Sequence, residues 1–65
     1  MPSSVIQKYK YDATGKILEI TFVSGAVYVY KEIPLAIFEH FRQAKSKGIF
    51  FNKYIKPKFT FERIK

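Results

Sequence analysis

The sequence predicts an α+β domain: a three-stranded antiparallel meander, two helices packed on one face of it, and a final strand, in the order β-β-β-α-α-β. Three observations lead there. Residues 5–12, 17–23 and 26–30 carry the β-rich, alternating patterns of strands, and each run is separated from the next by turn-forming residues. After Pro34 the spacing changes to that of a helix, with Ile37, Phe38, Phe41 and Ala44 on one stripe. Over residues 59–64 alternation returns.

The first strand, 5–12, sets Val5, Gln7, Tyr9 and Tyr11 to one side and Ile6, Lys8 and Lys10 to the other. Asp12-Ala13-Thr14-Gly15 follows as a turn, because Asp hydrogen-bonds its own backbone and Gly takes a positive φ without steric cost. The second strand, 17–23, places Leu18, Ile20 and Phe22 on one face and Glu19 and Thr21 on the other. Pairing Tyr11 with Lys16 across the turn sets Tyr9 beside Leu18 and Val5 beside Phe22, which gathers the apolar sides.

The stretch 22–30, on which the rest of the chain is organised, can close its hairpin in two ways. A two-residue Ser24-Gly25 loop pairs Val23 with Ala26 and turns Tyr28 and Tyr30 away from Leu18, Ile20 and Phe22. A type I turn at Val23-Ser24 with a left-handed Gly25 bulge pairs Phe22 with Ala26 and brings both tyrosines onto the Leu18/Ile20 face. The bulged closure is favoured, since it puts Gly where positive φ is needed and sets apolar against apolar. Val27 and Val29 then need cover on the opposite face.

Pro34 suits the first position of a helix, where its missing N–H costs nothing. Glu39, His40, Arg42 and Gln43 face water on that helix, and Lys45-Ser46-Lys47-Gly48 breaks it, with Gly48 as terminator. Residues 49–56 form a second short helix, capped by Ser46 or begun at Gly48, with Phe51 and Ile55 on one side, Phe50 and Tyr54 adjoining, and Pro57 as its stop. Residues 59–64 alternate Phe59, Phe61 and Arg63 against Thr60, Glu62 and Ile64 as the last strand, whose pairing partner the pattern does not name.

Composition narrows the function. Sixty-five residues make one domain that buries only ~60% of its unfolded surface, so its 18% aromatic content must supply a dense core. With no cysteine and His40 as the single histidine, a disulfide framework and a zinc site of usual spacing are both ruled out, and no cofactor is expected. The apolar runs fall far short of the ~20 residues that span a bilayer, and Met1-Pro2-Ser3-Ser4 lacks the regions of a signal peptide. A soluble, cytoplasmic protein is the expectation.

Charge is unevenly placed. In residues 1–41 four lysines are cancelled by four acids, whereas residues 42–65 hold eight basic side chains against Glu62, so the whole net charge of +7 sits in the last 24 residues. Such a concentration attracts polyanions.

Tyr28-Val29-Tyr30 after a Phe22-x-x-Gly25 turn, then Ile33-Pro34, Ala44-x-Ser46-x-Gly48 and Phe51-Asn52-x-x-Ile55, resembles the KTSC domain over residues 4–64. That family takes its name from the C-terminus of some lysyl-tRNA synthetases, also occurs as small stand-alone bacterial proteins, and has a central Tyr-x-Tyr motif as its hallmark. The resemblance implies RNA binding through the synthetase context, and it brings no catalytic residue.

The strongest functional signal is the set Arg42, Lys45, Lys47, Asn52, Lys53, Lys56 and Lys58, interleaved with Phe50, Tyr54 and Phe59. Lysines along a turn and a short helix can follow a phosphate backbone while Tyr54 meets a base. Tyr28 and Tyr30 are either a stacking platform or core residues, and such tyrosines are more often core. Asn52 more often satisfies backbone groups than a ligand, and Ser46 reads as a cap rather than a nucleophile. His40 has no orienting acid and nucleophile beside it in the pattern, so an enzyme is not expected. No RNP, Gly-x-x-Gly or zinc-knuckle motif supports sequence-specific readout. The expectation is a monomeric basic nucleic-acid-binding module for RNA, single-stranded or structured like tRNA, or another polyanion. The alternative is a protein-interaction or self-association module with no nucleic-acid role.

Overall fold

A computed structural model describes residues 6–65: strands β1 (Ile6–Asp12), β2 (Ile17–Phe22) and β3 (Val27–Tyr30), helices α1 (Leu35–Gln43) and α2 (Lys47–Phe50), a π-helical segment (Phe51–Ile55), and strand β4 (Phe61–Arg63). The four strands form one antiparallel sheet in the order β1-β2-β3-β4. The last strand therefore pairs with β3, setting Tyr30 opposite Phe61 and Tyr28 opposite Arg63.

The central hairpin closes by the bulge. Gly25 has φ +98°, the Phe22 N–H donates to Ala26 C=O at 2.9 Å, and the Gly25 N–H donates to Phe22 C=O at 2.9 Å. This register pairs Leu18 with Tyr30 and Ile20 with Tyr28, so the apolar side chains of β2 and the tyrosines of β3 share a face. Val27, on the opposite face, is buried, and Val29 is half-buried.

The first hairpin departs from expectation in register and in turn. Tyr11 lies opposite Leu18 rather than Lys16, and Tyr9 opposite Ile20 rather than Leu18. A slip of two residues keeps each side chain on its face, because two is the period of a strand. Phe22 pairs with Ile6; Val5, its expected partner, lies outside the described residues. An irregularity at Gln7 lets this happen, as the extra residue turns Ile6 onto the side of Tyr9 and Tyr11, where it packs on the core.

The turn runs over residues 13–16. Asp12 Oδ1 accepts from the Thr14 N–H at 3.0 Å and the Gly15 N–H at 3.4 Å, as its side-chain chemistry predicts. The left-handed residue is Lys16 (φ 56°), not Gly15. Lys16 is the last residue before β2, and its C=O is held there by the Ile33 N–H at 2.8 Å, a long-range bond that offsets the strain.

Leu18, Ile20, Tyr30, Ile33, Phe41, Phe51 and Ile55 form the buried core, so both helical segments cover one face of the sheet. Aromatic contacts define the fit: Tyr11 stacks on Phe38 at 4.3 Å, and Tyr9 meets Phe41 edge-on at 5.1 Å. The Tyr11 hydroxyl donates to Ile33 C=O at 2.7 Å, pinning the strand-to-helix connection.

Three helix boundaries differ from those expected. Pro34, with ψ 151°, is the extended cap residue before the first turn rather than part of it. Helix α1 stops at Gln43; Ala44 is already extended (ψ 142°). Gly48 does not end α1, because it lies within α2, whose start is fixed two residues earlier by Ser46 Oγ accepting from the Ile49 N–H at 3.3 Å. Phe51 and Ile55 are buried as the spacing predicts, although they belong to a π-helical turn. The final strand shortens to three residues. Among the described residues no helix is long and apolar enough to cross a membrane.

Candidate functional site

Strand β3 and its neighbours build the most distinctive surface. Tyr30 is 1% exposed, meeting Phe51 edge-on at 5.1 Å and Phe61 at 5.2 Å. Burial, and then the neighbouring Tyr28, push its hydroxyl up to about 12. Tyr28 is half-buried, held by the edge contact with Phe22 at 5.4 Å and the stacked Phe61 at 5.2 Å, with the Arg63 guanidinium 5.8 Å from its ring centre. The tyrosine pair is thus core at Tyr30 and rim at Tyr28.

Between the bulged turn and the π-helical segment lies a cleft of about 210 Å³, lined by Phe22, Ser24, Ala26, Tyr28, Tyr30, Phe51 and Lys56. It brings the Tyr-x-Tyr motif together with one lysine of the basic half. Among the described residues, neither Asp nor Glu lines it. A second cleft of about 300 Å³ lies along β1 and β2, where Lys8 and Lys10 stand beside Glu19.

The other basic residues divide into different environments. The Arg42 guanidinium binds Glu39 at 2.6 Å and 3.2 Å, a hydrogen bond and charge pairing that raise its pKa and neutralise it locally. Lys53 and Tyr54 sit together on the π-helical segment, with Lys53 Nζ 5.9 Å from the Tyr54 ring centre. Tyr54 is 43% exposed and rests on Phe50 at 4.8 Å. Lys45, Lys56 and Lys58 are exposed, Lys47 is half-buried, and His40 faces solvent. Asn52 is half-buried and already engaged in an interaction of its own. Glu62, the one acid of the basic half, is drawn to Lys31 at 3.5 Å.

Phe22, Ser24, Ala26, Phe51 and Phe61 are not among the site residues expected from the sequence. Phe61 is 50% exposed, yet it packs against both Tyr28 and Tyr30 from the adjacent strand. Ser24 lines the cleft from the turn. Phe61 alternates with Glu62, which was a usable signal, but its meaning depended on which strand β4 would join.

A family model described as the KTSC domain matches residues 2–59. The chain is 43% identical over 61 residues to a lysine–tRNA ligase of Trichormus variabilis; the match covers 94% of this chain and 11% of the ligase, so this chain spans only a small part of that relative. It is 40% identical over 57 residues to a protein of Tsukamurella paurometabola, covering 88% of this chain and 85% of that one. A crystal structure of a KTSC domain protein from Yersinia pestis superposes with a TM-score of 0.88 at 36% identity, covering all of this chain and 94% of the other. From the Tyr-x-Tyr strand through the capped second helix, sequence and fold agree, and the chain belongs to the KTSC domain family.

Proposed function

We propose that this protein is a small RNA-binding module that acts by contact alone and performs no chemistry. The carrying observation is that the entire +7 net charge falls in residues 42–65, the half that also presents the exposed rings of Tyr54 and Phe61. Cations along a strand's path together with accessible aromatic faces are the combination that holds single-stranded nucleic acid, the first for phosphates and the second for bases. Lys45, Lys47, Lys53, Lys56 and Lys58 supply the phosphate contacts, while Arg42, paired with Glu39, contributes less. Similarity to a segment of lysine–tRNA ligases supports RNA as the polyanion, single-stranded or structured like tRNA. The setting is the cytoplasm and the working form a monomer, whose charge opposes self-association.

The test is titration of labelled single-stranded RNA, single-stranded DNA and heparin at two salt concentrations. RNA binding that weakens with salt and also weakens on Tyr54→Leu upholds the proposal. Absence of binding at low salt, or equal binding of heparin and RNA with no contribution from any aromatic ring, overturns it. A protein-interaction role is then the second reading, favoured by the exposed edge strand β4 with Phe61 on it and the exposed Ile64 just after it.

A further inference from the structure

The cleft beside the bulged turn differs from the rest of the basic surface because it has depth, aromatic walls and one cation. Resting on the RNA-binding reading, we infer that it receives a single unpaired nucleotide of the bound strand, the base between the aromatic side chains and the adjoining phosphate at Lys56 Nζ.

Size argues for a single planar group. At about 210 Å³ the cleft is smaller than the ~300–1,000 Å³ pockets that take drug-sized ligands. Its lining argues for a base. Phe22 and Tyr28, both half-buried, offer ring surface, Ser24 and Tyr28 carry hydroxyls that can meet a polar edge, and the buried Tyr30 and Phe51 back them. Charge argues for an anion beside it, because among the described residues Lys56 is the one basic side chain in the lining and no carboxylate joins it. A purely apolar ligand has no use for the lysine, and a bare phosphate has none for the aromatic walls.

The backbone gives the same answer. Lys56 closes an i→i+5 bond onto Phe51, its N–H donating to the Phe51 C=O at 2.8 Å, and such π turns recur at functional sites. Across the mouth, the turn has Gly25 at φ +98°, with nothing within 4 Å of where a Cβ would lie.

Amide NMR titration of the full chain with a short single-stranded RNA, and separately with adenosine 5′-monophosphate, tests the assignment. The expected result is that RNA shifts the amides of Ser24, Gly25, Ala26, Phe51 and Lys56. Ser24→Trp, placed in an exposed turn to fill the mouth, should weaken RNA binding by about 5- to 150-fold, the loss of one stacked base, with unchanged thermal melting. Lys56→Ala should weaken RNA binding more than Lys58→Ala, and Lys56→Arg should restore most of it. If RNA shifts only the amides of Lys45, Lys47, Lys53 and Lys58, and Ser24→Trp binds like the parent, the cleft assignment fails while RNA binding stands. If the mononucleotide saturates the cleft amides at lower concentration than the strand does, the site belongs to a free nucleotide and the inference is overturned. Absence of any RNA binding removes the reading on which it rests, and the inference with it.

Discussion

The backbone N–H of Lys56 donates to the C=O of Phe51 at 2.8 Å, five residues back, and this one bond turns a basic residue toward the aromatic face of the sheet. In an α-helix, position i+5 lies about 140° around the axis from i, so the two would face apart. The wider turn brings them to the same cleft. Lys56→Pro removes the donor and should destabilise the fold by about 3 kcal/mol, whereas Lys56→Ala keeps it and should stay within about 0.5 kcal/mol of the parent. Urea unfolding of the two variants decides; equal midpoints would mean that the bond contributes nothing.

Gly25 is required by its backbone and not by space. Its φ is +98° and no atom lies within 4 Å of a built Cβ, so Gly25→Ala should cost about 1–2 kcal/mol from conformational strain alone. Gly25→Asn should cost less, because Asn tolerates left-handed backbone better than Ala. A loss on Gly25→Ala far above that range, measured by denaturant unfolding, would point to a steric role instead.

Tyr30 is a core residue whose ionisation opposes folding. Tyr30→Ala should cost about 3–5 kcal/mol, a large share of the ~5–15 kcal/mol that holds a domain, and leave this small protein near unfolding at room temperature. Its folded-state pKa of about 12 lies above the ordinary 10.0, so the folded form holds the proton more tightly. The resulting stability is fully present below pH 10 and is lost as pH rises through 12. Phenolate absorbance followed against pH should show one tyrosine ionising late, and that late step should vanish in Tyr30→Phe.

Salt dependence separates phosphate contacts from base contacts. If three to five phosphates are neutralised, the slope of log affinity against log salt for a single strand should be roughly −2 to −3.5, at about 0.7 per contact. Lys53→Ala should reduce that slope by about 0.7, while Tyr54→Leu should weaken binding by about 1–3 kcal/mol with the slope unchanged. Fluorescence anisotropy at several salt concentrations measures both; a slope that falls on Tyr54→Leu would place the ring in a charge-coupled role.

Ser46 holds the start of α2 through a 3.3 Å bond from the Ile49 N–H. Ser46→Ala should cost about 0.5–2 kcal/mol and Ser46→Asp nearly nothing, by thermal melting. Equal loss in both would show that the hydroxyl rather than the cap matters.

Much of the candidate site was legible because its residues follow local rules. Period-two spacing placed Tyr28 and Tyr30 on one face, and the need for a left-handed residue at Gly25 selected the closure that joined them to Leu18 and Ile20. Lysine rarely sits in a core, so the Lys-rich half was readable as surface, and Lys45, Lys53, Lys56 and Lys58 are indeed exposed. Local rules misplaced the left-handed residue of the first turn. Lys16 takes that conformation although Gly15 stands beside it, because a bond from Ile33, distant in sequence, holds its carbonyl.

By itself the sequence determined the alternation of strand faces, the bulged hairpin, the apolar stripe of α1, the cap at Ser46 and the division of charge between the halves. All of these depend on neighbours within a few residues, where steric and hydrogen-bonding preferences are strong. Only the tertiary structure decided that β4 joins β3, that Phe61 lies against Tyr28 and Tyr30, that Ile6 turns inward past Gln7, and that a π turn carries Lys56 to the cleft. A three-residue strand has too few side chains to specify its partner. An i→i+5 bond in place of an i→i+4 bond leaves the apolar spacing of Phe51 and Ile55 almost unchanged, so packing against the sheet, not local preference, selects between them.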